Sequence, residues 1–265
     1  MNGSFPVLAF LAGLAAGAAG TTLLRTPGRP EAPAATTHGE WVSFRNAAGQ
    51  TIRAYVAYPE RKDPGPGVIV IHEIFGLTDW EPTVADRLAA NGLVALVPDL
   101  LSSRFARTPA SPDSGRKLTA LLDPDGVMAD LDAAYDYLSR LPAVRKDAIG
   151  TIGFCWGGGQ SFRYATHNPR LRAAVVCYGP APDSAALPGL RARLLGVYGE
   201  DDARINAALP AVRRWLEGLG KPFEYDIYPG TGHGFLKPGR KGSDTDQVEK
   251  AWQRILTFYR EVLGP

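Results

Sequence analysis

The chain has 265 residues, a formal charge of +2 from 29 basic and 27 acidic side chains, and two cysteines. That balance contains no Lys/Arg-rich run, so nucleic-acid binding has no electrostatic basis. Two cysteines cannot make a disulfide framework, no His/Cys/Asp/Glu cluster has metal-ligand spacing, and neither phosphate-loop glycine signature is present, so no cofactor is expected.

The first segment differs from the rest. Phe5 to Leu24 carries no charge, and Arg25 to Thr37 is rich in Pro, Ala and Thr. Residues 1–24 read as an export signal or a membrane anchor, and residues 25–39 as a linker. Ala16-Gly17-Ala18 would suit cleavage. No Lys or Arg precedes the apolar run, and Arg25 and Arg29 follow it, which by the positive-inside rule suits an anchor with a cytoplasmic domain. Periplasmic or secreted localisation is preferred over that alternative. Any membrane contact is confined to residues 5–24.

From Glu40 onward the chain alternates. Short apolar runs predict strands near 40–44, 51–58, 67–71, 94–98, 149–154, 173–178, 193–198 and 223–228. Helical spacing predicts helices over 80–91, 127–140, 160–167, 206–219 and 245–263. The first two strands suit an antiparallel hairpin at one edge. Alternation after them implies an α/β domain over 40–265, with a mostly parallel sheet of about eight strands and helices on both faces. About 230 residues are enough for one large core. Ser102 to Asp125, rich in Pro, Ser and Asp, is a long excursion and a candidate active-site wall.

The most informative segment is Ile149-Gly-Thr-Ile-Gly-Phe-Cys-Trp-Gly-Gly-Gly159. A buried strand, a sharp turn and a helix follow one another, with Cys155 at the turn in a G-x-C-x-G pattern, the thiol version of a nucleophile elbow. Such a turn strains the nucleophile's backbone, so its neighbours two positions away must lack a bulky Cβ. The helix points its positive end at the sulfur, which favours thiolate. A cysteine ending an apolar strand is ordinarily a small buried residue, and Cys177 reads that way. The glycines around Cys155 argue otherwise.

Partners follow in chain order. Gly199-Glu-Asp-Asp-Ala-Arg-Ile205 comes after a predicted strand, and Asp201 and Asp202 compete as the acid. The G-x-x-D spacing from Gly199 favours Asp202, and the other reading of both is a helix N-cap. His233 lies in Gly230-Thr-Gly-His-Gly-Phe235, directly after the last predicted strand. Of the four histidines, His233 alone sits in a Gly-rich loop, His72 ends a strand, His38 is in the N-terminal tail and His167 is near a helix end. Nucleophile, acid, histidine is the order of an α/β-hydrolase. Glu73 follows the strand Gly67-Val-Ile-Val-Ile71, at the same sheet edge as the elbow.

Together, His72-Glu-Ile-Phe-Gly76, Gly153-Phe-Cys-Trp-Gly-Gly158, the G-x-x-D segment and Gly230-Thr-Gly-His-Gly-Phe235 resemble the dienelactone hydrolase family from about Glu40 to Leu263. The resemblance implies that Cys155 is the nucleophile, with Asp202 and His233 completing a triad. It implies that Glu73 helps to activate the thiol when substrate arrives, and that Ile74 and Trp156 supply oxyanion-hole N–H groups. It also implies cationic residues for a substrate carboxylate. Arg104 or Arg107 stands loosely where one is expected after Pro98-Asp-Leu100, and Lys237 stands where a second arginine is expected, keeping the charge without the bidentate fork.

The chemistry narrows the substrate further. A tetrahedral intermediate expels thiolate in preference to an ordinary alkoxide, so simple esters revert. An enolate leaving group reverses that balance. The expected partner is a small-molecule activated ester or enol lactone, hydrolysed by a monomer through a thioester. The other readings are a broader carboxylesterase or lactonase, and a non-catalytic binding protein on a hydrolase scaffold. The intact Cys155, Asp202 and His233 set argues against a binder.

Overall fold

The computed structural model describes residues 1–3 and 37–264. Most of the leader, and most of the stretch read as a linker, lie outside these residues. Among the described residues no helix is long and apolar enough to cross a membrane.

An eight-stranded sheet runs in the order β1-β2-β4-β3-β5-β6-β7-β8. Its strands are β1 (Thr37–Arg45), β2 (Thr51–Pro59), β3 (Gly65–Ile71), β4 (Val94–Pro98), β5 (Val144–Phe154), β6 (Ala173–Cys177), β7 (Arg193–Asp201) and β8 (Phe223–Gly232). β1 and β2 form the antiparallel hairpin at one edge, and β2 also pairs antiparallel with β4. Every other pairing is parallel. β1 begins inside the stretch read as linker, with Thr37 opposite Pro59.

Helices are α1 (Trp80–Ala89), α2 (Ser102–Phe105), α3 (Pro112–Thr119), α4 (Pro124–Arg140), α5 (Trp156–His167), α6 (Ala203–Asn206), α7 (Leu209–Gly218) and α8 (Asp246–Leu263). The strand alternation sorts them. Ile69 and Ile71 of β3 pack with Leu131 and Leu138 of α4, Phe162 of α5 and Leu216 of α7. Val68 and Val70 face the other way, toward Leu88 of α1 and Ile255 of α8. Both faces of the parallel strands are therefore buried, which explains why they read as continuous apolar runs.

Several boundaries differ from the sequence reading, among them β5, which begins at Val144 rather than 149, and β8, which runs on to Gly232. α5 starts at Trp156, because the elbow turns directly into the helix. The helix expected over 206–219 is two pieces, since Pro210 has no N–H and fits only in the first turn of a new helix. The excursion after β4 carries α2 and α3. Ser111 accepts from Ser114 N–H at 3.4 Å to cap α3, and Asp123 accepts from Gly126 N–H at 2.8 Å to cap α4.

Candidate active site

The carboxyl ends of β3, β5, β7 and β8 deliver the chemistry-bearing side chains. Cys155 joins β5 to α5 with φ +57°, a left-handed conformation uncommon for a residue with a Cβ. Close backbone packing imposes it. A Cβ on Gly153 would lie 1.9 Å from the Gly157 carbonyl oxygen, and one on Gly157 would lie 2.3 Å from that of His72. The Cys155 N–H donates to the Cys177 carbonyl at 3.0 Å, fixing the turn to the neighbouring strand. Both thiols are free. Cys177 is fully buried, and burial pushes its thiol well up.

His233 follows β8, and its Nδ1 lies 2.5 Å from Asp202 Oδ2. Asp202 occupies the position before α6, yet its side chain caps nothing and is free to hold the imidazole. Asp201, the rival in the sequence, is exposed and paired with Lys241. With Nδ1 on the carboxylate, Nε2 is the imidazole nitrogen left for other chemistry. His233 is pushed up from 6.5 to about 9, first by the Cys155 sulfur, against the effect of burial, and then by Asp202. The structure thus brings Cys155, His233 and Asp202 together.

Glu73 is almost fully buried, and its Oε2 accepts from Lys237 Nζ at 2.8 Å. The ammonium also sits 5.0 Å from the Trp80 ring centre and 5.7 Å from that of Phe75. Lys237, expected to await a substrate carboxylate, already has an anionic partner. Buried charges are paired because an isolated one is too costly.

His72 ties Glu73 to the elbow. Its Nε2 accepts from Leu100 N–H at 3.3 Å, which leaves the ring proton on Nδ1, 2.7 Å from the Glu73 carbonyl. Its ring stacks on Trp156 at 5.4 Å. Ile74 and Trp156, the expected oxyanion donors, flank this contact. Among the described residues no acceptor meets either backbone N–H.

Two acids given no role in the sequence reading hold the loop that carries Ile74. Glu81 is fully buried and accepts from Thr78 N–H and Oγ1, both at 2.7 Å. Asp99 accepts from Thr108 N–H at 2.8 Å and Oγ1 at 2.7 Å, while Thr108 Oγ1 accepts from Leu77 N–H at 3.0 Å. The spacing Thr78-x-x-Glu81 is a capping-box signal that could have located the first. Tyr178 was also missed, and its ring edge meets His233 at 5.2 Å.

Arg104 and Arg107 stand apart from this cluster. Arg104 lies over the ring of its neighbour Phe105 at 5.7 Å. Arg107 lines a cavity of about 700 Å³ with Leu77, Thr78 and Phe105. Neither makes a hydrogen bond or ion pair with Cys155, His233 or Glu73. The segment after β4 carries both arginines, at a spacing too loose for sequence to aim them.

Comparison with known proteins gives a consistent result. The model of the "Dienelactone hydrolase family" matches residues 52–263. A protein of Saccharolobus solfataricus inferred to be a carboxymethylenebutenolidase is 31% identical over 256 residues, covering 83% of this chain and 97% of its own. An Escherichia coli K12 protein of the same inferred name is 33% identical over 233 residues, covering 82% of this chain and 84% of its own. A crystal structure of an inferred dienelactone hydrolase from Klebsiella pneumoniae superimposes with a TM-score of 0.77 at 28% identity, covering 85% of this chain and 99% of that one.

Proposed function

The chain belongs to the dienelactone hydrolase family, and from that membership we propose that it hydrolyses activated esters and enol lactones with Cys155 as nucleophile. The observation that carries this reading is the triad geometry. The elbow cysteine stands beside an imidazole whose other nitrogen is held by Asp202 at 2.5 Å.

The Cys155 thiolate attacks the acyl carbon, and the carbonyl π electrons move onto oxygen. Ile74 and Trp156 N–H groups are the donors for that oxyanion. Collapse breaks the acyl–oxygen bond. The leaving enolate takes a proton from His233 and becomes a ketone, which departs from an open-chain ester and stays on the acyl chain of a lactone, leaving a thioester on Cys155. Water then attacks the thioester carbonyl as His233 Nε2 removes its proton. Collapse of the second intermediate gives the carboxylic acid and restores the sulfur anion. An enolate competes with thiolate as a leaving group, whereas an ordinary alkoxide does not.

Glu73 is the further proton acceptor for the thiol in this reading. It is engaged while Lys237 holds its Oε2. A carboxylate-bearing substrate competes for the ammonium, and Glu73 is then free to accept the thiol proton, which it returns to the sulfur anion after the second collapse, while His233 enters as the imidazolium that protonates the enolate. The charge on Lys237 is thereby used twice, first to hold Glu73 and then to hold the substrate acid.

A panel of enol lactones and simple alkyl esters tests the proposal. Turnover should favour the enol lactones and vanish in Cys155→Ala, and the unsubstituted chain should show a thioester adduct by mass. Equal turnover of simple alkyl esters would move the assignment to a broader carboxylesterase.

A further inference from the structure

His72 follows β3, which lies between β4 and the elbow strand β5. The reaction described above gives it no part. It is fully buried, with both ring nitrogens paired. A buried histidine with its nitrogens satisfied is ordinarily a packing residue. This one differs in the peptide that it holds.

Leu100 N–H donates to Nε2 at 3.3 Å, so Nε2 carries no proton and Nδ1 is the donor. Its acceptor, at 2.7 Å, is the carbonyl oxygen of Glu73. That carbonyl shares its peptide bond with the Ile74 N–H. No peptide bond among the described residues is cis. In a trans peptide the C=O and N–H lie in one plane and point in opposite directions. Fixing the oxygen therefore fixes the aim of the N–H. Gly76 N–H gives the same oxygen a second hydrogen bond at 3.2 Å, closing a tight turn in which Gly76 has φ +83°. The peptide is held twice on its carbonyl side, and its N–H side meets no acceptor among the described residues.

The same residue reaches the second donor. Its ring stacks on that of Trp156 at 5.4 Å, 16° from parallel. Its own carbonyl oxygen packs against the elbow, where a Cβ on Gly157 would lie 2.3 Å from it. His72 is therefore in contact with the residue of each N–H that the proposed reaction aims at the oxyanion. A hydrogen bond accepted by a carbonyl also polarises its peptide, and linked hydrogen bonds strengthen one another in a dry interior. The Ile74 N–H becomes the stronger donor for it.

We propose that His72 is a positioning residue for the oxyanion: its Nδ1–H aims and polarises the Glu73–Ile74 peptide toward the tetrahedral intermediate, and its ring holds Trp156 alongside. No proton leaves His72 in this role. The inference rests on the reading of Cys155 as nucleophile and of Ile74 and Trp156 as the donors.

Two reactions of Cys155 test it in the full chain. Acylation by an enol lactone passes through an oxyanion, whereas alkylation by iodoacetamide uses the same sulfur and forms none. His72→Phe keeps a ring of similar size and removes the Nδ1 donor. Its single-turnover acylation should fall roughly tenfold, less than the hundredfold or more that follows deletion of an oxyanion donor. Its kcat should fall with little change in KM, and its alkylation should stay near the parent rate. His72→Asn restores an N–H close to the place of Nδ1 and gives up the ring. It should acylate faster than His72→Phe, although it packs worse and leaves the same Leu100 N–H unpaired. Unchanged acylation in His72→Phe overturns the proposal. So does an equal fall in acylation and alkylation, which would mean that the elbow itself had moved, and so does a His72→Asn variant that acylates no faster than His72→Phe. NMR of the unsubstituted chain carries the test alone if the variants do not fold. The imidazole proton of His72 should sit on Nδ1, and its resonance should move downfield when an aldehyde forms a hemithioacetal on Cys155, with its oxygen in place of the oxyanion. A proton on Nε2, or an unmoved resonance, overturns the proposal. A parent chain in which mass analysis never finds Cys155 acylated would strike the nucleophile reading instead, and this inference with it.

Discussion

Lys237 and Glu73 form a closed ion pair beside the elbow, 2.8 Å apart, with the carboxylate shut away from solvent and the ammonium mostly so. Removing one partner leaves the other charge buried alone, which typically costs about 3–5 kcal/mol. Lys237→Met should therefore lower unfolding stability by about that amount, measured by urea denaturation. Adding Glu73→Gln should recover much of the loss, since the stranded charge is gone. A single variant as stable as the parent would show that the pair is open in solution.

The same pair bears on rate. Glu73→Gln keeps the shape and removes the proton acceptor, so single-turnover acylation by a carboxylate-bearing enol lactone should slow by roughly tenfold or more, in the range of a general base. Stopped-flow acylation reads this directly. An unchanged rate would leave Glu73 as no more than the anchor of Lys237.

Asp201 and Asp202 should separate sharply on substitution. Asp202→Asn removes the carboxylate that fixes the imidazole tautomer, and kcat should fall roughly a thousandfold, near the scale of such losses in triads. Asp201→Asn breaks an exposed pair with Lys241 that solvent screens, and should leave kcat nearly unaltered. Steady-state kinetics on one enol lactone decide it.

His233 titrates near 9 in the folded chain, above the ordinary 6.5. A raised value means that the folded state binds the proton more tightly. Its contribution to stability is full below 6.5 and disappears as pH rises through about 9. Because the Cys155 sulfur is the leading cause, Cys155→Ala should bring the His233 midpoint down toward 6.5. An NMR titration of the imidazole tests this, and a midpoint left near 9 would assign the shift to Asp202 instead.

Gly153→Ala should be among the most damaging single changes. Its Cβ would sit 1.9 Å from the Gly157 carbonyl oxygen, so backbone rather than a flexible side chain must give way. Overpacking a core costs about 1–3 kcal/mol, and this contact belongs at or beyond the upper end. Thermal unfolding of the variant measures it.

Much of this was legible in the chain itself. The parallel strands read as apolar runs because both of their faces are buried, and the elbow reads because its glycines answer a steric demand that no other residue meets. Asp202 and His233 read from their place after β7 and β8. The pairing of Lys237 with Glu73 was not legible. The two lie 164 positions apart, and only the fold of two loops brings ammonium and carboxylate together. Tyr178 escaped notice because an aromatic residue ending an apolar strand resembles core, and its left-handed turn is set by Gly158 on another element. Arg104 and Arg107 lie on an excursion whose path sequence spacing does not define.

The glycine contacts behind the elbow also determine where this enzyme can be redesigned. Gly158 and Gly179 touch backbone to backbone, and a single methyl on Gly158 would lie 2.5 Å from the Cys177 carbonyl oxygen. The floor of the site has no spare volume, so enlarging it there would displace the nucleophile before it admitted a larger substrate. Room for a different acyl or leaving group has to be made away from that floor. Libraries aimed at altered specificity should leave residues 153–159 and 177–179 untouched.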